Sequence, residues 1–61
     1  MTLQEAKTLA QNGVKVRHQY FTDEEYMTMQ GNIIVFEDGV KIFFDEWVKG
    51  KDYLLNGWSK F

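Results

Sequence analysis

The chain has 61 residues, of which 44% are hydrophobic and 26% are charged, and its formal net charge at pH 7 is −2. This length leaves room for one hydrophobic core, so we expect a single domain over residues 1–61, and the composition is that of a globular protein. Because the chain has no cysteine and one histidine, the composition excludes disulfides, thiolate metal sites and multi-histidine zinc sites, and we expect no cofactor.

The sequence contains no segment that would place the chain at a membrane. No apolar run approaches the ~20 residues that span a bilayer. The first residues are amphipathic and include Glu5, unlike a secretory signal. We therefore expect no membrane partner and a cytoplasmic location.

The first predicted element is a helix whose two ends are both marked. Thr2 and Glu5 have the spacing of a capping box, in which each side chain accepts a hydrogen bond from the other residue's backbone amide. Gly13 suits the left-handed position that ends a helix. The apolar stripe between these ends consists of Leu3, Ala6, Leu9 and Ala10. Its small side chains would allow the helix to lie close against a sheet.

From Val14 the apolar period changes to two, which predicts a first strand that runs through Phe21. In this strand His18 and Tyr20 share one face, and Arg17 and Phe21 share the other.

A predicted hairpin occupies the middle of the chain. A polar turn at residues 22–25 leads to a second strand, Tyr26–Met29. Two apolar runs, residues 33–36 and 40–44, then flank Glu37-Asp38-Gly39. Asp-Gly between β-rich runs is a strong hairpin signal.

The last part of the chain combines short turns with one more strand. Asp45 and Asp52 are each expected to cap a short helical turn, with a break at Lys49-Gly50-Lys51. Alternation over Trp58–Phe61 predicts the final strand. The predicted fold class is therefore α+β, with one N-terminal helix packed on a small antiparallel sheet of about five short strands.

Aromatic residues are unusually frequent. The chain has two tryptophans, three tyrosines and five phenylalanines, which are more large rings than a core of this size can easily hide. The excess predicts a second place for aromatic surface, either a homo-oligomer interface or a ligand pocket. The alternative is a sheet face of half-exposed rings, since exposed apolar side chains are common.

Motifs for catalysis are missing. The sequence has no nucleophile elbow, phosphate-binding loop or metal-binding helix motif, so we expect no enzyme and no catalytic or metal-binding residue. Duplex nucleic acid is not an expected partner, because no predicted helix has a basic face. Binding of a single strand stays open. Aromatic side chains and scattered lysines are typical of base stacking, although the acidic middle of the chain opposes it.

Charge is distributed unevenly, with an acidic middle between two basic ends. If the first and last strands pair, five basic side chains would form a patch that favours an anionic ligand. They are Lys15, Arg17, Lys49, Lys51 and Lys60. The alternative is that these are ordinary solubilising charges.

Aromatic and cationic residues near the two end strands form the candidate ligand-binding set: Arg17, His18, Tyr20, Phe21, Trp47 and Trp58. Flat rings stack on a purine base and a guanidinium pairs with a phosphate, so the set suits a nucleotide-like ligand. The alternative for the rings is that they are plain core. His18 alternates with apolar residues, which favours a place on the sheet face over a catalytic role.

Short motifs along the chain resemble those of a group of small phage proteins. They are Thr2-Leu3-Gln4-Glu5-Ala6, then Gly13-Val14-Lys15-Val16-Arg17-His18 followed by Phe21, and finally Leu54-Leu55-Asn56-Gly57-Trp58. This layout covers most of the chain and is similar to the second Thoeris anti-defence family and its relatives of unknown function. The family pattern has tryptophan where this chain has Phe21, arginine where it has His18, and acidic residues where it has Gly57 and Ser59.

The resemblance implies a homo-oligomer that acts as a sponge in the cytoplasm of a phage's host. Such a protein binds the cyclic ADP-ribose-type signal of a bacterial immune system, or a related cyclic nucleotide, and holds it unchanged. Arg17 and His18 match the basic pair of the family, Phe21 matches its first tryptophan and Trp58 matches its last. The resemblance then places the rings on the ligand base or in the subunit interface, and Arg17 near the phosphates.

Two other functions stay open. The acidic turns at residues 23–25 and 37–38 could contact a host protein and inhibit it directly. A small enzyme that cleaves a nucleotide is the third hypothesis, and no catalytic motif supports it.

Overall fold

The computed structural model describes all 61 residues and contains one main helix and a five-stranded sheet. Helix α1 is Leu3–Gln11, helix α2 is Phe44–Val48, and a single 3-10 turn covers Asp52–Leu54. The strands are β1 Val16–His18, β2 Met27–Gln30, β3 Ile33–Phe36, β4 Lys41–Phe43 and β5 Trp58–Lys60. All neighbouring strands are antiparallel, which confirms the predicted α+β fold class. None of the helices has the length and apolar composition that a membrane span requires.

The last strand of the sheet lies beside the first. The strand order is β4-β3-β2-β1-β5, so β1 is an internal strand with β2 on one side and β5 on the other. In the β1–β5 pair, Val16 faces Lys60, Arg17 faces Ser59 and His18 faces Trp58. The two end strands therefore pair, as the interpretation of a basic patch required.

Helix α1 begins and ends where the sequence predicts. Thr2 Oγ1 accepts from the Glu5 amide at 3.2 Å, and Glu5 Oε1 accepts from the Thr2 amide at 2.9 Å. The backbone N–H of Thr2 is the main reason why the pKa of Glu5 lies below its ordinary value, because these bonds favour the ionised carboxyl. Gly13, whose φ is 85°, turns the chain out of the helix.

The predicted hairpin is formed by β3 and β4. Its turn contains Asp38, whose carboxylate accepts from the Val40 amide at 3.1 Å. Gly39 follows with a φ of 86°, a left-handed conformation that explains why Asp-Gly is a good signal for this turn.

The predicted first strand is too long. β1 ends at His18, because the Phe21 amide donates to the His18 carbonyl at 2.9 Å and closes a turn. Tyr20 therefore leaves the face that it was expected to share with His18, and its side chain is 71% exposed.

The predicted helical turns begin at other residues than expected. Phe44 is predicted in β4 but begins α2, with its side chain buried in the core. The cap positions are Phe43 and Lys51, and neither makes a side-chain capping bond, so Asp45 and Asp52 do not act as caps. The reason at α2 is that Phe44 turns inward to be buried, which starts the helix before Asp45.

The two faces of the sheet differ in what covers them. We call the inner face the side that carries the buried strand residues Val16, His18, Met27, Met29, Ile34 and Trp58. Helix α1 contacts it with Ala6 and Ala10, both fully buried. Helix α2 adjoins α1, since Lys7 Nζ lies 4.4 Å from the ring centre of Phe44. Leu54 of the 3-10 turn completes the same core.

We call the opposite side of the sheet the outer face. Strand alternation assigns to it Lys15, Arg17, Tyr26, Thr28, Gln30, Ile33, Val35, Lys41, Phe43, Ser59 and Phe61. Because α1, α2 and the 3-10 turn all pack at the inner face, no second layer covers this side. Phe43 is 62% exposed and Phe61 is 51% exposed. The alternative of a sheet face with half-exposed rings therefore accounts for some of the many aromatic residues.

A second threonine–glutamate pair stabilises the turn before β2, where the sequence predicts only a polar turn. The Thr22 amide donates to Glu25 Oε1 at 2.8 Å, and this bond lowers the pKa of Glu25. Like Glu5, Glu25 stabilises its turn in the ionised form.

We expect stability to fall in acid partly because of these two carboxyl groups. A group whose pKa is lowered by folding contributes stability above its ordinary pKa of 4.5, and this contribution is lost as pH falls through the lowered value. The Tm of the double variant E5Q/E25Q should therefore fall less than that of the natural chain between pH about 6 and pH about 3, since glutamine accepts the same bonds without titrating. Glu24→Gln is the control. An equal fall in Tm for the natural chain, E5Q/E25Q and Glu24→Gln would show that Glu5 and Glu25 do not cause the loss of stability in acid.

Candidate ligand-binding site

A chain of touching rings runs from the core to the surface at one end of the inner face. We call it the aromatic cluster, and its members are His18, Tyr20, Phe21, Phe36, Trp47, Tyr53 and Trp58. Neighbouring ring centres lie 5.1–6.3 Å apart, and most pairs meet edge to face. The structure thus brings together five of the six predicted ligand residues, all except Arg17.

His18 is the buried centre of the aromatic cluster. Its side chain is fully buried, and Nε2 lies 3.0 Å from the Tyr53 carbonyl oxygen and 2.8 Å from that of Asn56. Both oxygens can only accept, so Nε2 carries the proton. Nδ1 accepts from the Tyr20 amide at 3.2 Å and therefore carries the lone pair. This neutral tautomer attaches the loop of residues 53–56 to β1, and both ring nitrogens are engaged by backbone.

Trp58 is also part of the core. It is 3% exposed, and its indole N–H donates to the Leu54 carbonyl at 2.6 Å. Its ring meets His18 at 5.2 Å and Phe21 at 5.7 Å, both edge to face. Of the two interpretations of Trp58, core or contact, the structure shows the core packing.

Phe21 and Trp47 are half-buried and lead from Trp58 toward a surface cavity. Their ring centres lie 6.3 Å apart, and the ring of Phe36 meets Trp47 at 5.5 Å. The cavity has a volume of about 270 Å³ and is lined by Glu25, Phe36, Glu37, Asp38, Val40 and Trp47. We call it the acidic recess, because three carboxylates surround its aromatic wall. Repulsion from these carboxylates disfavours a phosphate at this position.

At the other end of the aromatic cluster two tyrosines are exposed to solvent. Tyr20 is 71% exposed and Tyr53 is 55% exposed, and their ring centres lie 6.0 Å apart. We call them the tyrosine pair. Tyr53 was missed by the sequence analysis, because only the return of the 3-10 turn to β1 brings it beside Tyr20.

Arg17 lies on the other side of the sheet from the aromatic cluster. Alternation along β1 directs its side chain to the outer face, from which Nη2 reaches the Phe21 carbonyl at 2.9 Å. Its Nε atom is buried and has no hydrogen-bond partner. Arg17 therefore braces the turn that presents Tyr20 and Phe21.

The basic side chains near the end strands are divided between the two faces. Lys60 is paired with Val16 and shares its side of the sheet, whereas Lys15 and Arg17 belong to the outer face. Lys51 lies over Trp47, with Nζ 5.1 Å from the ring centre. Pairing of the end strands thus does not gather the five basic residues into one patch.

Comparison of the chain with protein-family models, curated protein sequences and solved structures finds no match. No group of three or more histidine, aspartate or glutamate side chains is arranged to hold a metal ion. The resemblance to the anti-defence family therefore stays a prediction.

His18→Phe should destabilise the chain strongly, because two carbonyls and one amide lose their partner although an aromatic ring stays in place. We expect a loss of about 1–3 kcal/mol in the free energy of unfolding, measured by urea denaturation. Tyr20→Phe, which removes only an exposed hydroxyl, is the control and should change stability little. The result would be contradicted if both variants unfold at the same urea concentration as the natural chain, or if NMR places the imidazole proton on Nδ1.

Proposed function

We propose that this protein is a non-enzymatic binding protein that, as a homo-oligomer, holds a nucleotide-derived signalling molecule. The observation that carries the proposal is the tyrosine pair, Tyr20 and Tyr53, which is exposed on a buried aromatic support. The sequence resemblance supplies the ligand class, a cyclic ADP-ribose-type or cyclic nucleotide signal of bacterial immunity, and the setting, a phage protein in the host cytoplasm.

The tyrosine pair suits a flat base because the buried His18 side chain holds the backbone of both tyrosines in place. The Tyr20 amide and the Tyr53 carbonyl are both bonded to the ring of His18. Exposed rings that are held in this way lose little conformational freedom when a base stacks on them. Binding energy from stacking is then not consumed by ordering the site.

Arg17 supports the proposal from β1, because its guanidinium reaches from the outer face to the turn that carries Tyr20. Its bond to the Phe21 carbonyl uses one of the five N–H donors of the guanidinium. Other donors are left for a phosphate, the group that a guanidinium binds most specifically.

The small core supports association of several copies. Ten of the 61 residues are buried, so a monomer gains little apolar burial. Large apolar side chains stay exposed, among them Val40 at 54% and Leu55 at 56%. Contact between copies would remove such surface from water and stabilise the fold.

Native mass spectrometry of the protein purified from bacterial cells tests the proposal. We expect an oligomer with an extra mass of nucleotide size, and the compound should be recovered unchanged after denaturation. Binding of the recovered compound should then fall by about tenfold or more in Y20A/Y53A, because two stacking surfaces are lost. Phe43→Ala, which removes an exposed ring from the outer face, should bind normally.

Three outcomes would contradict this function. A bare monomer would contradict both the ligand and the assembly. A chemically altered compound would contradict the absence of catalysis. Full binding by Y20A/Y53A, with the fold confirmed by circular dichroism, would show that the tyrosine pair is not the site.

The acidic recess favours a second candidate function, direct inhibition of a host protein. Glu25, Glu37 and Asp38 surround the half-buried rings of Phe36 and Trp47. An apolar wall with a rim of one charge is typical of a surface that receives a basic side chain from a partner.

A pull-down from host lysate distinguishes this function from the first. We expect one stoichiometric host protein, whose capture weakens as salt rises. Capture should be lost in E25Q/E37Q and kept in D45N/E46Q, a variant with the same change in charge that lies outside the recess. Equal capture by both variants would exclude the recess as the contact.

A further inference from the structure

The outer face of the sheet lies on the other side from the tyrosine pair, and Arg17 is the one residue of this face that the proposed function also uses. None of the five strands contains an aspartate or glutamate. The chain has nine acidic residues, and all of them lie in helices, turns or loops. Three basic side chains, Lys15, Arg17 and Lys41, belong to the outer face. A chain with a net charge of −2 thus has one sheet face whose charged side chains are all basic.

Aromatic rings accompany these charges, of which Phe43 and Phe61 are exposed and Tyr26 is half-buried. Tyr26 and Phe61 form a tilted pair with ring centres 4.8 Å apart, and Lys15 Nζ lies 4.6 Å from the ring centre of Tyr26. Phe43, on β4, provides a second ring and is 62% exposed. The other polar side chains of this face are uncharged: Thr28, Gln30 and Ser59.

The register gives the distance between the two ring positions. Phe43 pairs with Ile33, and Ile33 pairs with Gln30, four residues along from Tyr26. Two strand spacings and four residues of extended chain give a separation of about 16 Å. One mononucleotide does not reach across this distance, whereas an extended strand of a few nucleotides does.

We propose that the outer face binds single-stranded nucleic acid, with bases stacked on Phe43 and on the Tyr26–Phe61 pair and phosphates near Lys15, Arg17 and Lys41. Rings that stack on bases beside cations that follow a phosphate backbone are the features of such surfaces. The face contains no helix that could enter a groove, which favours a single strand over a duplex.

The structure places five of the seven carboxylates in the acidic middle of the sequence away from the outer face. Glu25, Glu37 and Asp38 line the acidic recess, which opens beside Phe36 and Trp47 of the inner side. Asp45 and Glu46 lie in α2, which adjoins α1 at the inner side. These carboxylates therefore do not lie among the bases and phosphates of a strand on the outer face.

The same charges disfavour a second copy of the chain as the occupant. Two outer faces packed about a two-fold axis would bring six cations together without one carboxylate on either face. A polyanion provides the complementary charge that a second copy lacks.

Fluorescence anisotropy with a labelled oligothymidylate of about ten nucleotides tests the proposal. We expect binding whose log K falls with log salt at a slope of about −2, the value for three phosphate contacts on a single strand. In K15Q/K41Q the slope should fall to about −0.7, because one contact is left. F43A/F61A should weaken binding about tenfold or more with the slope unchanged, since stacking does not release counterions.

Y20A/Y53A is the matched control, since it removes two exposed rings from the other side of the sheet and should bind the oligonucleotide normally. This variant also separates the two proposals, because it should lose the nucleotide-derived signal. The proposal would be overturned by the absence of binding, by binding that the outer-face variants leave unchanged, or by equal affinity for duplex DNA. It would also be overturned if F43A/F61A changed the oligomeric state, because the outer face would then be a contact between copies of the chain. Displacement of the oligonucleotide by anionic vesicles, whose own binding depended less steeply on salt, would overturn it as well.

Discussion

The Nε2–H group of His18 donates to two carbonyls of the loop that precedes β5, and much of this fold depends on that contact. The bond places residues 53–56 against β1, which brings Leu54 into the core and lets Trp58 pair beside His18. Few residues of this chain are buried, so each buried hydrogen-bonding group contributes a large part of the tertiary stability. His18 satisfies two carbonyls and one amide at once. The tyrosine pair is a consequence, because both of its members are attached to the same imidazole.

The distribution of charge follows from the two-layer architecture. The strands contain no carboxylate, so all acidic residues lie in turns, loops and helices. Two of them, Glu5 and Glu25, accept hydrogen bonds from the backbone at the start of their own helix or turn. The chain therefore has three surfaces of different chemistry around a thin core: exposed tyrosines, an acidic recess and a basic aromatic sheet face. A small domain can present distinct surfaces in this way because hardly any residue is far from solvent.

What the sequence predicts well is local. The capping box of α1 and the Asp-Gly turn each depend on residues within four positions of one another, so their signals are complete in the sequence. The length of β1 and the start of α2 depend on where Tyr20 and Phe44 find room in the assembled core, and these boundaries were wrong. Tyr53 was missed for the same reason, since its neighbours come from the other end of the chain.

The candidate site shows the same division. Ring content and spacing were enough to select Phe21, Trp47, His18 and Trp58 as a group, and the structure does bring them together. Which ring is buried and which is free to stack is decided by the pairing of β5 with β1. Alternation alone put Arg17 on the opposite face from His18, but only the turn at residues 19–21 explains how its guanidinium reaches back to Phe21.

The position of β5 next to β1 also affects when the chain can fold during synthesis. The ribosome releases the helix and the β2–β3–β4 meander first, and these elements contain many local contacts. The core still lacks Leu54 and Trp58, and β1 lacks one of its two partners, until residue 60 has emerged. Most of the tertiary structure therefore forms after residue 60 has left the exit tunnel, and the apolar inner face of the sheet is incompletely covered until then.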